Sequence, residues 1–318
     1  MNDPRKHHYI PEFYLKRWAG ADGKLCQFRS RPHVLSVIDK RVYPAETGFV
    51  RDLYQARGSP DDIAQRLESF FFAPVDSLAA SALRLLEAKG GSSRDWTTRL
   101  RSGWSRFLYS LLLRCPEDLD AFRRHWPLEL ADVDPGWEER YATMRGEGLP
   151  PTLADLIEQM APDEVERSGL VTLASVIDSK NVGTVINNMQ WRVLSTVGAS
   201  NSLLTSDRPV IRTSGLTNRG DHIAMPISPT TLFLASQDTQ MLDQIETISL
   251  SELVRISNRH VVRGAATYVY GDNASQLPFV AKHLGREPQH RLMQSVLDRR
   301  KHEIRERWLS MAKKASAQ

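Results

Sequence analysis

The side chains best suited to chemistry stand in three short blocks. In Lys6-His7-His8-Tyr9-Ile10-Pro11-Glu12-Phe13-Tyr14-Leu15, two adjacent histidines run into a helix start. Pro11 suits the first turn of that helix, where a missing N–H costs little. Tyr14 and Trp18 share one face, with Leu15 beside them. The positive end of the helix dipole disfavours imidazolium, so neutral rings are expected, able to accept a proton or ligate a metal. Neighbours in an extended stretch point opposite ways, so one of the two should face any pocket. A pair of structural histidines is the competing reading.

The second block is Thr205-Ser206-Asp207-Arg208-Pro209, a strand running into a polar turn. Asp207 either caps its own backbone in an Asx turn or presents its carboxylate to a cleft. In the cleft it would orient His7 or His8, ligate a metal or act as a base, with Ser206 donating a hydrogen bond. The sharpest expectation is that at least one of His7 and His8 lies close to Asp207. The third block is Leu113-Arg114-Cys115-Pro116. Arg114 suits the negative end of the apolar helix it follows, and it could equally clamp a phosphate or carboxylate bidentately.

Glu68 reads as part of a solvated acidic face. Asp76 is eight residues further on, but Pro74 between them spoils their geometry. A divalent metal could be held by His7, His8, Asp207 and Glu68, yet no pair has diagnostic ligand spacing. There is no phosphate-binding loop, and no glycines of a nucleophile elbow surround Ser206.

Composition narrows the class. Against 42 basic residues stand 38 acidic ones, for a net charge of +4, with a hydrophobic fraction of 41%. These values suit a water-soluble globular chain. The mild basicity permits nucleic-acid contact, although no dense Lys/Arg stripe appears. Cys26 and Cys115 stand far apart and read as buried thiols of a reducing cytosol. No signal-peptide run opens the sequence, and the apolar patch Phe107–Leu113 is too short to span a bilayer. The expectation is a cytoplasmic protein with no membrane partner.

The groups above need a scaffold. Lys24–Arg29 and Val34–Val42 read as a β-hairpin. Ser59-Pro60-Asp61-Asp62 opens a helix, which Pro74 is expected to bend or interrupt. Asp95–Cys115 is the strongest helix, and its face of Trp96, Leu100, Trp104, Phe107, Leu108, Leu111 and Leu112 should be core. A short helix follows over Glu117–Trp126, then an irregular or slightly helical stretch over Pro127–Pro151, then helices over Leu153–Met160 and Asp163–Ser179. From Gln190 onward, Trp191–Thr196, Ser202–Thr205, Val210–Thr213, His222–Ile227 and Thr231–Ala235 suggest an antiparallel sheet. A helix over Leu250–Arg263, a strand over Thr267–Tyr270, and helices over Leu277–Leu284 and Gln289–Ala312 close the chain.

The fold class is α+β, a mainly helical middle with an antiparallel sheet built from N-terminal and C-terminal strands. Residues 1–318 read as one interleaved domain, because no linker separates the helical middle (about 59–189), the β-rich part (about 190–271) and the C-terminal helices (276–313).

The blocks His7-His8-Tyr9-x-Pro11-x-Phe13-Tyr14-Leu15, Leu67-Glu68, Leu113-Arg114-Cys115-Pro116, Leu204 to Val210, and Met225-Pro226-Ile227-Ser228-Pro229 with Asn258 after it occur in an order that resembles domain-of-unknown-function family 4238. Trp18 stands where members often carry Phe. The resemblance implies that the blocks belong to one domain, and it implies neither a reaction nor a cofactor. The expected function is hydrolytic or nuclease-like chemistry on a phosphate ester or RNA. Histidine would be the base, Asp207 the orienter or metal ligand, and Arg114 the stabiliser of developing charge. Tyr9, Ser206 and Asn258 are the expected substrate contacts. The alternative is a non-enzymatic binding module whose polar blocks join helices to sheet.

Overall fold

The computed structural model describes residues 5–31, 34–60, 65–213, 215–287, 291–294, 297–298, 302–303 and 305–306. The chain begins with β1 (Lys6–His8) and α1 (Glu12–Leu15), which a tight turn at Lys16–Trp18 continues. It then forms β2 (Leu25–Arg31), β3 (Val34–Val42) and β4 (Phe49–Arg51). A π-helical turn at Glu68–Phe72 leads into α2 (Ala73–Lys89). The helical middle continues with α3 (Thr98–Leu111), α4 (Pro116–Ala131), α5 (Pro135–Met144), α6 (Leu153–Glu158), α7 (Pro162–Ile177) and α8 (Lys180–Asn188). The last part holds β5 (Gln190–Ser195), β6 (Thr205–Ser206), β7 (Ile211–Arg212), β8 (His222–Ser228) and β9 (Thr231–Ser236). After these come α9 (Thr239–Glu246), α10 (Leu250–Gly264), β10 (Tyr268–Gly271) and α11 (Leu277–His283).

The fold is α+β. Its strands pair as β1-β4, β3-β2-β10-β6 and β5-β9-β8-β7, all antiparallel. The middle sheet sets the N-terminal hairpin beside C-terminal strands, with Tyr270 opposite Gln27 on one side and Thr205 on the other. Trp104, Phe107, Leu108 and Leu111 of α3 are all buried. Phe107 meets Phe13, Tyr14 and Trp104, and Trp104 meets Phe233 of β9 edge-on, so α3 binds the N-terminal segment to a C-terminal sheet. Four aromatics in ten residues would be costly to leave in water, and burial of Tyr9, Tyr14 and Trp18 answers that cost. Gly48 makes the fit of this segment possible. Its φ of 65° is left-handed, and a Cβ there would lie 3.0 Å from the Ile10 carbonyl oxygen. Its own carbonyl accepts the amides of Tyr9 and Ile10.

Several boundaries differ from the sequence reading for identifiable reasons. Pro74 does not interrupt its helix. It stands in the first turn of α2, where its missing N–H is tolerated, because the wider π turn ahead of it absorbs the irregularity. α3 ends at Leu111, before Cys115, because Leu113 and Arg114 both return their amides to Ser110. α4 runs through Pro127, since Trp126 Nε1 donates to Ser168 and Arg123 pairs with Glu166, fixing the turn just before the proline to α7. α8 and α9 were not expected, and each is capped by a side chain, Ser179 and Asp238. Most of the helix start at Ser59–Asp62 and of the final helix over Gln289–Ala312 lies outside the described residues. Among the described residues, Glu68–Lys89 is one helix long and apolar enough to cross a membrane. Its Phe72, Val75, Ala79, Ala82, Leu83 and Leu86 are buried in the protein core.

Candidate functional site

The two histidines point apart, as alternation in β1 requires. His7 is fully buried. Its Nδ1 accepts the amide of Tyr54 at 2.9 Å, so Nε2 carries the proton and donates to Gln65 Oε1 at 2.5 Å. Its ring stacks on Tyr54 at 5.4 Å. Both nitrogens are therefore engaged, and His7 fastens β1 to the loop after β4. His8 packs against Phe49 and keeps 16% of its side chain exposed. Its Nε2 is buried without a hydrogen-bond partner among the described residues, 3.8 Å from Glu12 Oε1. Burial lowers its pKa, opposed by Glu12 and assisted by Lys6 and Arg114. The ring is neutral near pH 7.

Arg114 follows α3 and turns inward. It is fully buried, with Nη1 on Asp76 Oδ1 at 2.9 Å. Its guanidinium lies over Phe72 and Phe107, at 5.7 and 5.5 Å from the ring centres. Nε and Nη2 have no hydrogen-bond partner among the described residues. Burial works against the charge, but Asp76, Tyr54 and Glu68 more than offset it, and the pKa sits above its ordinary value. The Tyr54 hydroxyl donates to the Arg114 carbonyl at 3.1 Å, fixing the turn that carries it.

The π turn then brings together two acids whose geometry Pro74 is expected to spoil. Residues eight apart on a plain α-helix lie about 80° out of line, and a wider turn removes that offset. The Asp76 charge thus raises the cost of ionising Glu68 beside Arg114. Glu68 Oε2 is buried without a partner among the described residues. Burial, then the Asp76 charge, pushes the Glu68 carboxyl up to about 7, with Arg114 opposing. Burial raises Asp76 as well, with Arg114 opposing. The solvated acidic face expected for Glu68 is therefore an inward-facing group. The signal in the sequence was Pro74 inside a helical pattern, which a π turn accommodates.

Asp207 has a different setting. Its carboxylate accepts the amides of Ala266, Thr267 and Tyr268 at 2.9, 2.6 and 2.9 Å. The carboxylate thus caps the turn into β10, and its hydrogen bonds go to backbone rather than to a histidine. The approach between the blocks is made by Tyr9, whose phenol is buried close enough to Asp207, Tyr270 and Cys115 for their charges to oppose its ionisation further. Burial lifts Asp207 to about 6 even against those three donors. Ser206 Oγ accepts the Arg208 amide, a local turn bond. Asn258 accepts the Leu204 amide and donates to Ser202 and Gln276. Tyr14 donates to the Pro226 carbonyl and meets Thr205 Oγ1, while Trp18 donates to the Leu203 carbonyl. These bonds tie the sequence blocks to one another. Arg114 is thus brought together with Asp76 and Glu68, and its charge reaches His8, whereas His7, Ser206, Asp207 and Asn258 are engaged elsewhere. Among the described residues no group of three or more His, Cys, Asp or Glu side chains has the arrangement to hold a metal ion.

The family described as protein of unknown function (DUF4238) matches residues 6–275, most of the chain and every block above. The chain belongs to this family. Searches of curated proteins and of solved structures found no match.

Proposed function

We propose that the protein is a cytoplasmic hydrolase acting on a phosphate ester, with its reacting groups at His8, Glu68 and Arg114. One observation carries this reading: His8 Nε2, Glu68 Oε2 and two nitrogens of Arg114 are all buried and lack hydrogen-bond partners among the described residues, and the Arg114 charge acts on both His8 and Glu68. Unsatisfied buried polar groups are costly and persist where a task requires them. The cluster also moves its acid and base in opposite directions, the carboxyl up and the imidazole down. Neutral His8 would then take a proton from water, protonated Glu68 would give one to the leaving oxygen, and Arg114 would stabilise charge on the phosphoryl oxygens. The unpaired, buried cysteines fit a reducing compartment.

The test is turnover of a simple phosphomonoester, a phosphodiester and a short single-stranded RNA. His8→Ala and Arg114→Lys are each expected to lower kcat at least about 100-fold while retaining the fold by circular dichroism. Turnover absent with all three substrates overturns the reading. The second reading, a non-enzymatic binding module, is favoured by the bonding of His7, Ser206, Asp207 and Asn258, which hold the blocks to each other. It predicts no turnover and equal losses of stability on mutating any block.

A further inference from the structure

We infer that Arg114 is the buried receptor for a terminal oxyanion carrying a single negative charge, a carboxylate or a singly ionised phosphate. This inference shares Arg114 with the hydrolase reading and names the chemistry of what that site takes. The argument starts from which nitrogens are occupied. Asp76 takes Nη1, leaving Nε and Nη2, the two N–H groups on one edge of the guanidinium. That edge is the fork that grips two oxygens of one carboxylate or phosphate at once. Arg114 is fully buried, so bulk water does not satisfy the fork. A guanidinium with an open fork inside a protein is poorly stabilised, and a bidentate oxyanion supplies the missing bonds.

The surrounding groups set the charge. Arg114 and Asp76 already form a neutral pair, so each negative charge brought by a ligand is a net charge in the cluster. Glu68, close to Arg114 but not ion-paired with it, answers this by holding its proton to higher pH than an ordinary glutamate. In that form it adds no charge and can donate a hydrogen bond to the anion, while Lys6, whose charge acts on His8, stands nearby. A dianion would require a second proton to be taken up. Complete burial of the guanidinium also restricts the ligand to one whose oxyanion is terminal. A phosphodiester inside a long nucleic acid is flanked on both sides and does not fit that approach.

The experiment is calorimetric titration of the full chain with sodium formate and, separately, inorganic phosphate, at constant ionic strength, near pH 6 and near pH 8. Both anions should bind wild type at the lower pH, with one proton taken up for the dianionic form of phosphate. Formate keeps its charge over this range, so its weaker binding at the higher pH reports Glu68. Arg114→Lys keeps the charge and removes the fork, and should weaken both at least about tenfold. Glu68→Gln should bind formate with nearly the same affinity at both pH values, which keeps the inference testable if Arg114→Lys fails to fold. No saturable binding of either anion, or equal binding by a folded Arg114→Lys, overturns it and leaves the fork a water site. Anion binding through Arg114 with no phosphate-ester turnover overturns the hydrolase reading alone. Turnover that persists without anion binding overturns this inference alone.

Discussion

The Asp207 corner and the Arg114 corner look alike in sequence and differ in what they leave undone. Each is a charged residue two positions before a proline and just after a regular element, and each is buried. The corners even touch, since Cys115 Sγ donates to the Asp207 carbonyl at 3.6 Å. Yet Asp207 has three backbone donors on its two oxygens, whereas Arg114 has one side-chain partner and two nitrogens without any. A filled charge holds a fold together, and an open one is available for a ligand. Residue type and burial do not separate the two cases, but the count of satisfied hydrogen bonds does.

The N-terminal segment serves both corners, so its removal should have the largest effect. Tyr14 and Trp18 bond the strand ends near Asp207, and the Arg114 charge reaches His8. Deleting residues 1–18 is expected to abolish cooperative unfolding, measured by urea titration with tryptophan fluorescence. Retention of the wild-type midpoint would show that the corners stand without it. We also propose that the chain is one interleaved domain, for which the intact protein should unfold in a single transition by every probe. Next in size is Asp207→Asn, which turns an amide NH2 toward backbone donors and should cost about 2–4 kcal/mol. A cost below about 1 kcal/mol would make Asp207 no more structural than a surface carboxylate. Leu111→Ala, in the core between the corners, should cost on the order of 2–5 kcal/mol and calibrates the other two.

Periodicity and turn chemistry made much of this legible in advance. The α3 stripe, the β2–β3 hairpin and the short strands after Gln190 all follow from spacing that one sequence window contains. The family blocks were visible too, and the structure joins them. What a window does not contain is which polar group fills which. Asp207 was expected to cap itself or meet a histidine, but its donors come from Ala266 to Tyr268, some sixty residues on. A pairing of Glu68 with Asp76 was discounted because Pro74 is expected to spoil the geometry between them, and the π turn changes that geometry. Both misreadings concern long-range or non-standard backbone, where local propensity carries no information.

The smallest expected effect reads the open corner through its pH dependence. Glu68 titrates near 7 in the folded protein, above its ordinary value of 4.5, because burial and then Asp76 disfavour its charge. A raised carboxyl means that the folded state binds the proton more tightly than the unfolded chain does. Between these two values the native state therefore holds more protons, and stability falls as pH rises. Below about 4.5 both states are protonated, above about 7 neither is, and the contribution is flat in each range. Glu68→Gln removes this pH dependence while keeping the shape of the protonated side chain. The variant should match wild type near pH 4 and exceed it by roughly 1–3 kcal/mol near pH 8, measured by urea unfolding at both values. Asp207, raised to about 6, contributes a slope of the same sign at lower pH, so the comparison is made between wild type and variant at each pH. A Glu68→Gln chain that is less stable near pH 8 would mean that ionised Glu68 is held by Arg114, closing the fork and making the Arg114 corner as structural as the Asp207 corner.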